Sequence, residues 1–306
     1  MTRVVCIGEC MVELRALGAD TFARTYAGDA YNTAVYLKRS FPEAQVQFLT
    51  AIGDDAMSAA MRRHWRTQEI DDALAFPLAG GSAGLYLIET DGSGERSFQY
   101  WRKHSAATRW LALLQERGES LLWGADILYF SGISLAILNP DERSAAIEVL
   151  ARARPHVGRI AFDPNVRLRL WQSPQIAAQV TLAALSGCDI ALPSSEDLGW
   201  LLGTADPERQ IDLLLAMGVA EAALTLGAEG CAIASKELRV QLAAPRAAAT
   251  IDTSGAGDAF NGAYLANRLK GISPVAAAQA AVQVAARVIT HAGAIVPKSV
   301  SHPATG

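Results

Sequence analysis

The stretch Asp126-Ile127-Leu128-Tyr129-Phe130, a helical segment from about Pro140 to Ala153, and then Arg159-Ile160-Ala161-Phe162-Asp163 decide the fold. Both short apolar runs read as buried strands, and the segment between them has helical length and pattern. The theme continues outward: a helix around Gln175 to Leu185, the strand Asp189-Ile190-Ala191-Leu192, a helix from Ser194, and the strand Ala222-Ala223-Leu224-Thr225-Leu226. Strand alternating with helix predicts an α/β fold, a parallel sheet with helices on both faces. Two regions break the rhythm. Residues of about 9 to 27 and 84 to 102 read as short strands joined by turns, with Glu89-Thr90-Asp91-Gly92-Ser93-Gly94-Glu95 as a hairpin connection. They predict a small β-sheet lid standing off the main body. The last third carries two helices, about Gly257 to Lys270 and Pro274 to His291, with no repeat and no low-complexity linker. One domain over residues 1 to 306, with the lid as its appendage, is the expected organisation.

Composition bounds the function. The chain has 306 residues, 51% hydrophobic and 19% charged, with a formal charge of -4. That usage suits a globular core, and the acidic balance argues against nucleic acid as a partner. The amino terminus is too short in apolar residues for a secretory signal, and the uncharged stretch Ala73 to Ile88, broken by Pro77 and Gly80-Gly81, falls short of a membrane span. A cytoplasmic protein is expected. Cys6, Cys10, Cys188 and Cys231 lack the paired spacing of a metal site and read as buried thiols.

The strongest chemical signal is Asp252-Thr253-Ser254-Gly255-Ala256-Gly257-Asp258, which runs straight into an amphipathic helix. Its glycines let backbone approach an anion, and the helix start presents free amides and a positive dipole end. A phosphate is the natural guest. Asp258, in the first turn, is placed to accept the proton of an attacking hydroxyl, and the helix terminus is expected to favour its ionised form. An acidic helix start with nothing bound is the alternative reading of these residues alone. A second motif, Ala27-Gly28-Asp29-Ala30-Tyr31-Asn32-Thr33-Ala34, places small residues before an asparagine at another helix start.

Together these motifs resemble the PfkB, or ribokinase-like, carbohydrate kinase family, and the resemblance covers nearly the whole chain. It implies a doubly wound, mainly parallel sheet with a β lid, ATP with magnesium, and Asp258 as the catalytic base. It further implies the amides of Gly255, Ala256 and Gly257 as the anion hole. The glycine turn in Thr225-Leu226-Gly227-Ala228-Glu229-Gly230 belongs beside ATP on the same resemblance. In the mostly packed helical run Ala276 to Ala286, Gln283 is read as the residue facing the adenine. Glu196 matches the glutamate of the family's Asn-x-x-Glu magnesium motif; Pro193 stands where the asparagine belongs, so half of that motif is absent, and a helix-start acid is the equal alternative. A monovalent cation is left open.

Substrate class is read from the lid and one loop. In the strand Gly94 to Arg102, side chains two apart share a face, so Tyr100 and Arg102 point the same way. A phenol and a guanidinium there suit a polyol carrying a carboxylate. Arg167, after the strand ending at Asp163, lies at the carboxyl end where open α/β sheets bind ligands. Arginine pairs with both carboxylate oxygens. These segments look like the 2-keto-3-deoxygluconate kinase branch, which implies that Gly28, Asn32, Tyr86, Tyr100, Arg102, Arg167 and Asp258 surround a sugar acid. Glu9 and Glu13 also fit that branch's opening strand, or else pair with lid arginines. A neutral-sugar or nucleoside kinase of the same family is the nearest rival. An oxidoreductase is disfavoured because no Gly-x-Gly-x-x-Gly follows the first strand. His104 and His291 read as surface or partly packed residues. The lid's edges and apolar surface predict a homo-oligomer.

Overall fold

The structure, a computed structural model, describes residues 1–18, 20–90, 96–246 and 249–302. In chain order it forms β1 (Arg3–Ile7), β2 (Met11–Gly18), β3 (Thr21–Ala27), α1 (Asp29–Ser40), β4 (Gln45–Gly53), α2 (Ala56–Thr67), β5 (Ala75–Leu78), β6 (Leu85–Thr90), β7 (Arg96–Trp101), α3 (Trp110–Arg117) and β8 (Ile127–Ser131). There follow α4 (Gly132–Ala136), α5 (Glu142–Ala153), β9 (Arg159–Asp163), α6 (Pro174–Ser186), β10 (Ile190–Ala191), α7 (Ser195–Leu202), α8 (Pro207–Ala216), β11 (Glu221–Thr225), β12 (Cys231–Ser235), β13 (Arg239–Leu242), α9 (Ala256–Leu269), α10 (Pro274–Val288) and α11 (Lys298–Ser301).

Nine strands make the main sheet in the order β13-β12-β11-β10-β9-β8-β1-β4-β5, parallel except where β12 and β13 join antiparallel. Side chains alternate across it. Val4 and Cys6 enter the core under α1, α9 and α10, while Val5 and Ile7 enter the one under α3, α5 and α6. Successive residues of a strand point to opposite faces, and both faces are covered, so these strands are apolar throughout. Pro77, which lacks a donor, sits in β5 at the sheet's edge, where the ladder asks least of it.

The expected lid is present as a separate four-stranded sheet, β3-β2-β6-β7. β2 pairs antiparallel with β3 but parallel with β6, so the lid is two hairpins laid side by side. The expected hairpin connection at 91–95 lies outside the described residues. All four cysteines are buried and unbridged, as their spacing suggested. Among the described residues no helix is long and apolar enough to cross a membrane.

Close packing of α1 on α9 positions the site. A Cβ on Gly262 would lie 2.5 Å from the Thr33 carbonyl oxygen, so only a glycine lets the two helices approach this far. Their amino-terminal turns therefore meet, although they come from opposite ends of the sequence.

Candidate active site

Gly255 caps α9 in the left-handed region at φ 73°, a conformation in which a side chain is strained. A Cβ there would also strike the Ala294 carbonyl oxygen at 2.6 Å, whereas one on Gly257 would meet nothing within 4 Å. The space over the Gly257 backbone is thus open, at the helix end whose amides lack intrahelical partners.

One residue on, Asp258 accepts a 2.8 Å hydrogen bond from Asn32 Nδ2. Its ionisation corrects the sequence expectation. Burial is the largest influence and the charge of Asp29 the next; against the Asn32 bond and the Arg167 cation they push its pKa up to about 7. Desolvation outweighs the helix terminus, and the carboxylate becomes a base matched to neutral pH.

Asn32 is one of three asparagines bound to three aspartates around this point. Asn165 Nδ2 donates to Asp29 Oδ2 at 2.7 Å, and Asn261 Nδ2 donates to Asp163 Oδ2 at 2.9 Å. The pairs run in a circle: α1 gives its amide to α9, α9 gives its amide to β9, and the loop after β9 gives its amide back to α1. Asp163 also accepts from the Asn165 backbone N–H, and Asn165 holds a positive φ of 31°. Burial first, and the carboxylates of Asp197, Asp258 and Asp29 next, push Asp163 well above the ordinary carboxylate range. Asp29, Asp163, Asn165 and Asn261 were not singled out from the sequence. The only signal was an Asp and an Asn three residues apart at two helix starts.

On the lid side, Tyr86 pairs with Tyr100 across β6 and β7 and stacks on it, with ring centroids 5.6 Å apart. Arg102 shares their face: a Cβ on Gly84, two residues before Tyr86, would sit 3.3 Å from the Arg102 Cβ. The Tyr86 hydroxyl donates to Glu13, and Arg15 pairs with Glu13 at 3.1 Å. Arg102 forms an ion pair with buried Glu9, which also accepts from the Ser105 hydroxyl at 2.5 Å. Both glutamates therefore take the alternative role of pairing with lid arginines. Glu9 also ties the lid to Gly28, because a Cβ on Gly28 would lie 2.1 Å from the Glu9 carbonyl oxygen. The Gly28 N–H in turn donates to Asn32 Oδ1 at 3.3 Å. Arg167 is exposed on the loop after β9, near enough for its charge to lower the pKa of Asp258, Asp163 and Asp197. His104 and His291 are exposed, as expected.

A cleft of about 1130 Å³ opens on the other side of the α9 start, lined by Thr225, Gly227, Gly230, Ala256, Gly257 and Glu196 among others. It exceeds the usual range for small-ligand sites, roughly 300 to 1,000 Å³, and so has room for a nucleotide. Thr225, Gly227 and Gly230 lie where expected, at the turn joining β11 to β12. Gln283 does not. It is exposed, and the face of α10 toward the cleft carries Val282, Ala285, Ala286 and Ile289 instead. Those residues follow a helical spacing from which 283 is a quarter-turn away. The contact surface offered to a flat base is therefore apolar. Glu196 projects from the first turn of α7 into this cleft. Among the described residues no three metal-ligating side chains converge. The site fits a cation carried mainly by a ligand's phosphates, with Glu196 beside it.

Comparison with known proteins agrees with this fold. The model of the pfkB family of carbohydrate kinases matches residues 1–300. The chain is 39% identical to a 2-dehydro-3-deoxygluconokinase of Escherichia coli (strain K12), covering 97% of each chain. It is 37% identical to the enzyme of that name from Dickeya dadantii, covering 96% of each. Among solved structures, a putative Ribokinase II from E. coli in complex with ATP and Mg2+ superposes with a TM-score of 0.85, at 23% identity, over 96% of this chain and 94% of that one. A fold with a lid, an open glycine-rich helix start and a carboxylate beside it thus coincides with sequence similarity along the whole length, and the chain belongs to the pfkB family of carbohydrate kinases.

Proposed function

We propose that the protein transfers the γ-phosphoryl group of MgATP to the 6-hydroxyl of 2-keto-3-deoxygluconate, as a 2-dehydro-3-deoxygluconokinase. The observation that carries the reading is the position of Asp258. It stands between the open backbone of Gly257, which lines the large cleft, and Asn32 of α1, whose Oδ1 accepts from Gly28 beside the lid. ATP takes the cleft, with its base against Val282, Ala286 and Ile289 and its phosphates toward Gly227 and the 255–257 amides. Magnesium, when bound with the nucleotide near Glu196, supplies charge neutralisation on the phosphates. The sugar acid takes the lid side, among Gly28, Asn32, Tyr86 and Tyr100. Asp258 accepts the proton of the attacking hydroxyl, and the helix-start amides stabilise charge on the transferred group. Arg167 and Arg102 hold the carboxylate and so fix which hydroxyl reaches Asp258.

One observation favours a second reading. The Arg102 charge is already matched by Glu9, which leaves Arg167 as the freer cation and weakens the case against a neutral sugar such as fructose. A coupled ADP-release assay across 2-keto-3-deoxygluconate, fructose, ribose and nucleosides separates the two. Preference for fructose or ribose leaves only the family-level kinase reading. Repeating the assay in potassium and in choline chloride tests for a monovalent cation.

A homo-oligomer formed through the lid and a cytoplasmic location go with this reading. On the lid face opposite Tyr86 and Tyr100, Phe22 and Trp101 are 45% and 56% exposed, apolar surface that a second copy of the lid could cover. Light scattering that gives a monomer at micromolar concentration refutes the oligomer.

A further inference from the structure

The circle of Asp–Asn pairs has a property that no single pair has. Each of three segments supplies one aspartate and one asparagine: Asp29 and Asn32 from α1, Asp163 and Asn165 from β9 and its loop, Asp258 and Asn261 from α9. Each asparagine reaches the aspartate of a different segment, at 2.8 Å, 2.7 Å and 2.9 Å in turn. The three segments are therefore tied to one another, and Asp258 is held in the circle through the link from Asn32. The circle also places Asp29 next to Asp258 although like charges repel. What holds it there is the amide of Asn165, which sits on a backbone with positive φ that asparagine tolerates better than most residues.

We propose that Asp29, held by Asn165, is a positioning residue for the phosphoryl-transfer reaction. It keeps a second negative charge beside Asp258 and keeps the Asp258 carboxylate registered against Asn32. This inference rests on Asp258 being the base. Asp29 raises the proton affinity of Asp258 and Arg167 lowers it, while Asp163 on β9 and the buried hydroxyls of Tyr36 and Tyr129 share the same electrostatic neighbourhood. Without the Asp29 charge, burial alone opposes ionisation of Asp258, and the carboxylate becomes a weaker base.

The test uses the full chain and Asp29→Asn, which keeps an oxygen to accept the Asn165 amide. The acid limb of kcat/KM should move to lower pH than in the parent, and kcat on the alkaline plateau should fall, with KM for ATP and sugar acid unchanged. The 13C carboxyl resonance of Asp258 in the ligand-free protein, assigned by its loss in Asp258→Asn, should titrate at correspondingly lower pH. A purely structural Asp29, serving only the first turn of α1, would lower the melting temperature and leave both titrations in place; that result overturns the proposal. If Asp29→Asn fails to fold, Asn165→Gly, which tolerates the positive φ and removes the amide, decides on the same readouts. Full turnover in Asp258→Asn sinks the base reading itself. Loss of turnover there, with an unmoved limb in Asp29→Asn, sinks only the role of Asp29.

Discussion

Asn32 and Asp258 stand 226 residues apart in the chain and are joined by a 2.8 Å hydrogen bond from the asparagine amide to the aspartate carboxylate. The bond exists because α1 and α9 touch at Gly262, and it brings the two sequence motifs to one point. Substituting Gly262→Val should push the helices apart at the Thr33 carbonyl. A stability loss of about 1 to 3 kcal/mol is expected from overpacking, together with loss of activity. Denaturant unfolding and kinetics check both; an active protein of parental stability would contradict the packing.

Activity should follow the ionisation of Asp258. With its pKa raised to about 7, the carboxylate is protonated and unable to accept a proton below that pH. A rise of kcat/KM with pH through the neutral region is expected. Asp258→Asn should lower turnover by roughly two to four orders of magnitude while calorimetry with a non-hydrolysable nucleotide shows binding nearly intact.

The same group should cost stability where it is charged. A carboxyl whose folded pKa lies above its unfolded value favours folding most when both states are protonated, and that advantage is lost as pH rises from about 4, its unfolded value, through about 7. The difference in melting temperature between Asp258→Asn and the parent should therefore grow in favour of the variant between acidic and alkaline pH. A difference that does not change with pH would mean that Asp258 is well hydrated.

The two arginines should separate in a way the sequence does not suggest. Replacing either Arg102 or Arg167 by alanine should reduce kcat/KM for the sugar acid by about tenfold to a hundredfold, the worth of a charge-assisted contact. Fructose turnover should suffer less. Only Arg102→Ala leaves buried Glu9 without its cation, a loss that typically costs about 3 to 5 kcal/mol. Thermal melts of the two variants should differ accordingly, and Glu9→Gln in the Arg102→Ala background should recover part of the loss.

The adenine face of the cleft is testable by bulk. Ala286→Phe should raise KM for ATP while leaving KM for the sugar acid close to the parent, because Ala286 lines the cleft. Gln283→Ala should change neither constant, since that side chain is exposed away from the cleft.

Much of the fold was legible because its signals are local. A run such as Ile127 to Ser131, buried at every position, shows its environment in its own composition. The helix of Ala256 to Leu269 shows its start in two glycines and an acid. β13 was not read, since a short strand such as Arg239–Leu242, with alternating exposure, looks like polar loop until a partner strand is known. Gln283 falls outside the cleft lining, and one sequence does not reveal which side of α10 meets the cleft.

The sequence by itself determined the alternation of strand and helix, the glycine-rich start of the helix at Ala256 and the place of Asp258 in its first turn, because each depends on residues adjacent in the chain. Only the tertiary structure decided the ionisation of Asp258, the pairing of Arg102 with Glu9 and the closed circle through Asp29 and Asp163. Those depend on desolvation and on charges a few ångströms away in space, which act between residues that are neighbours only after the chain has folded.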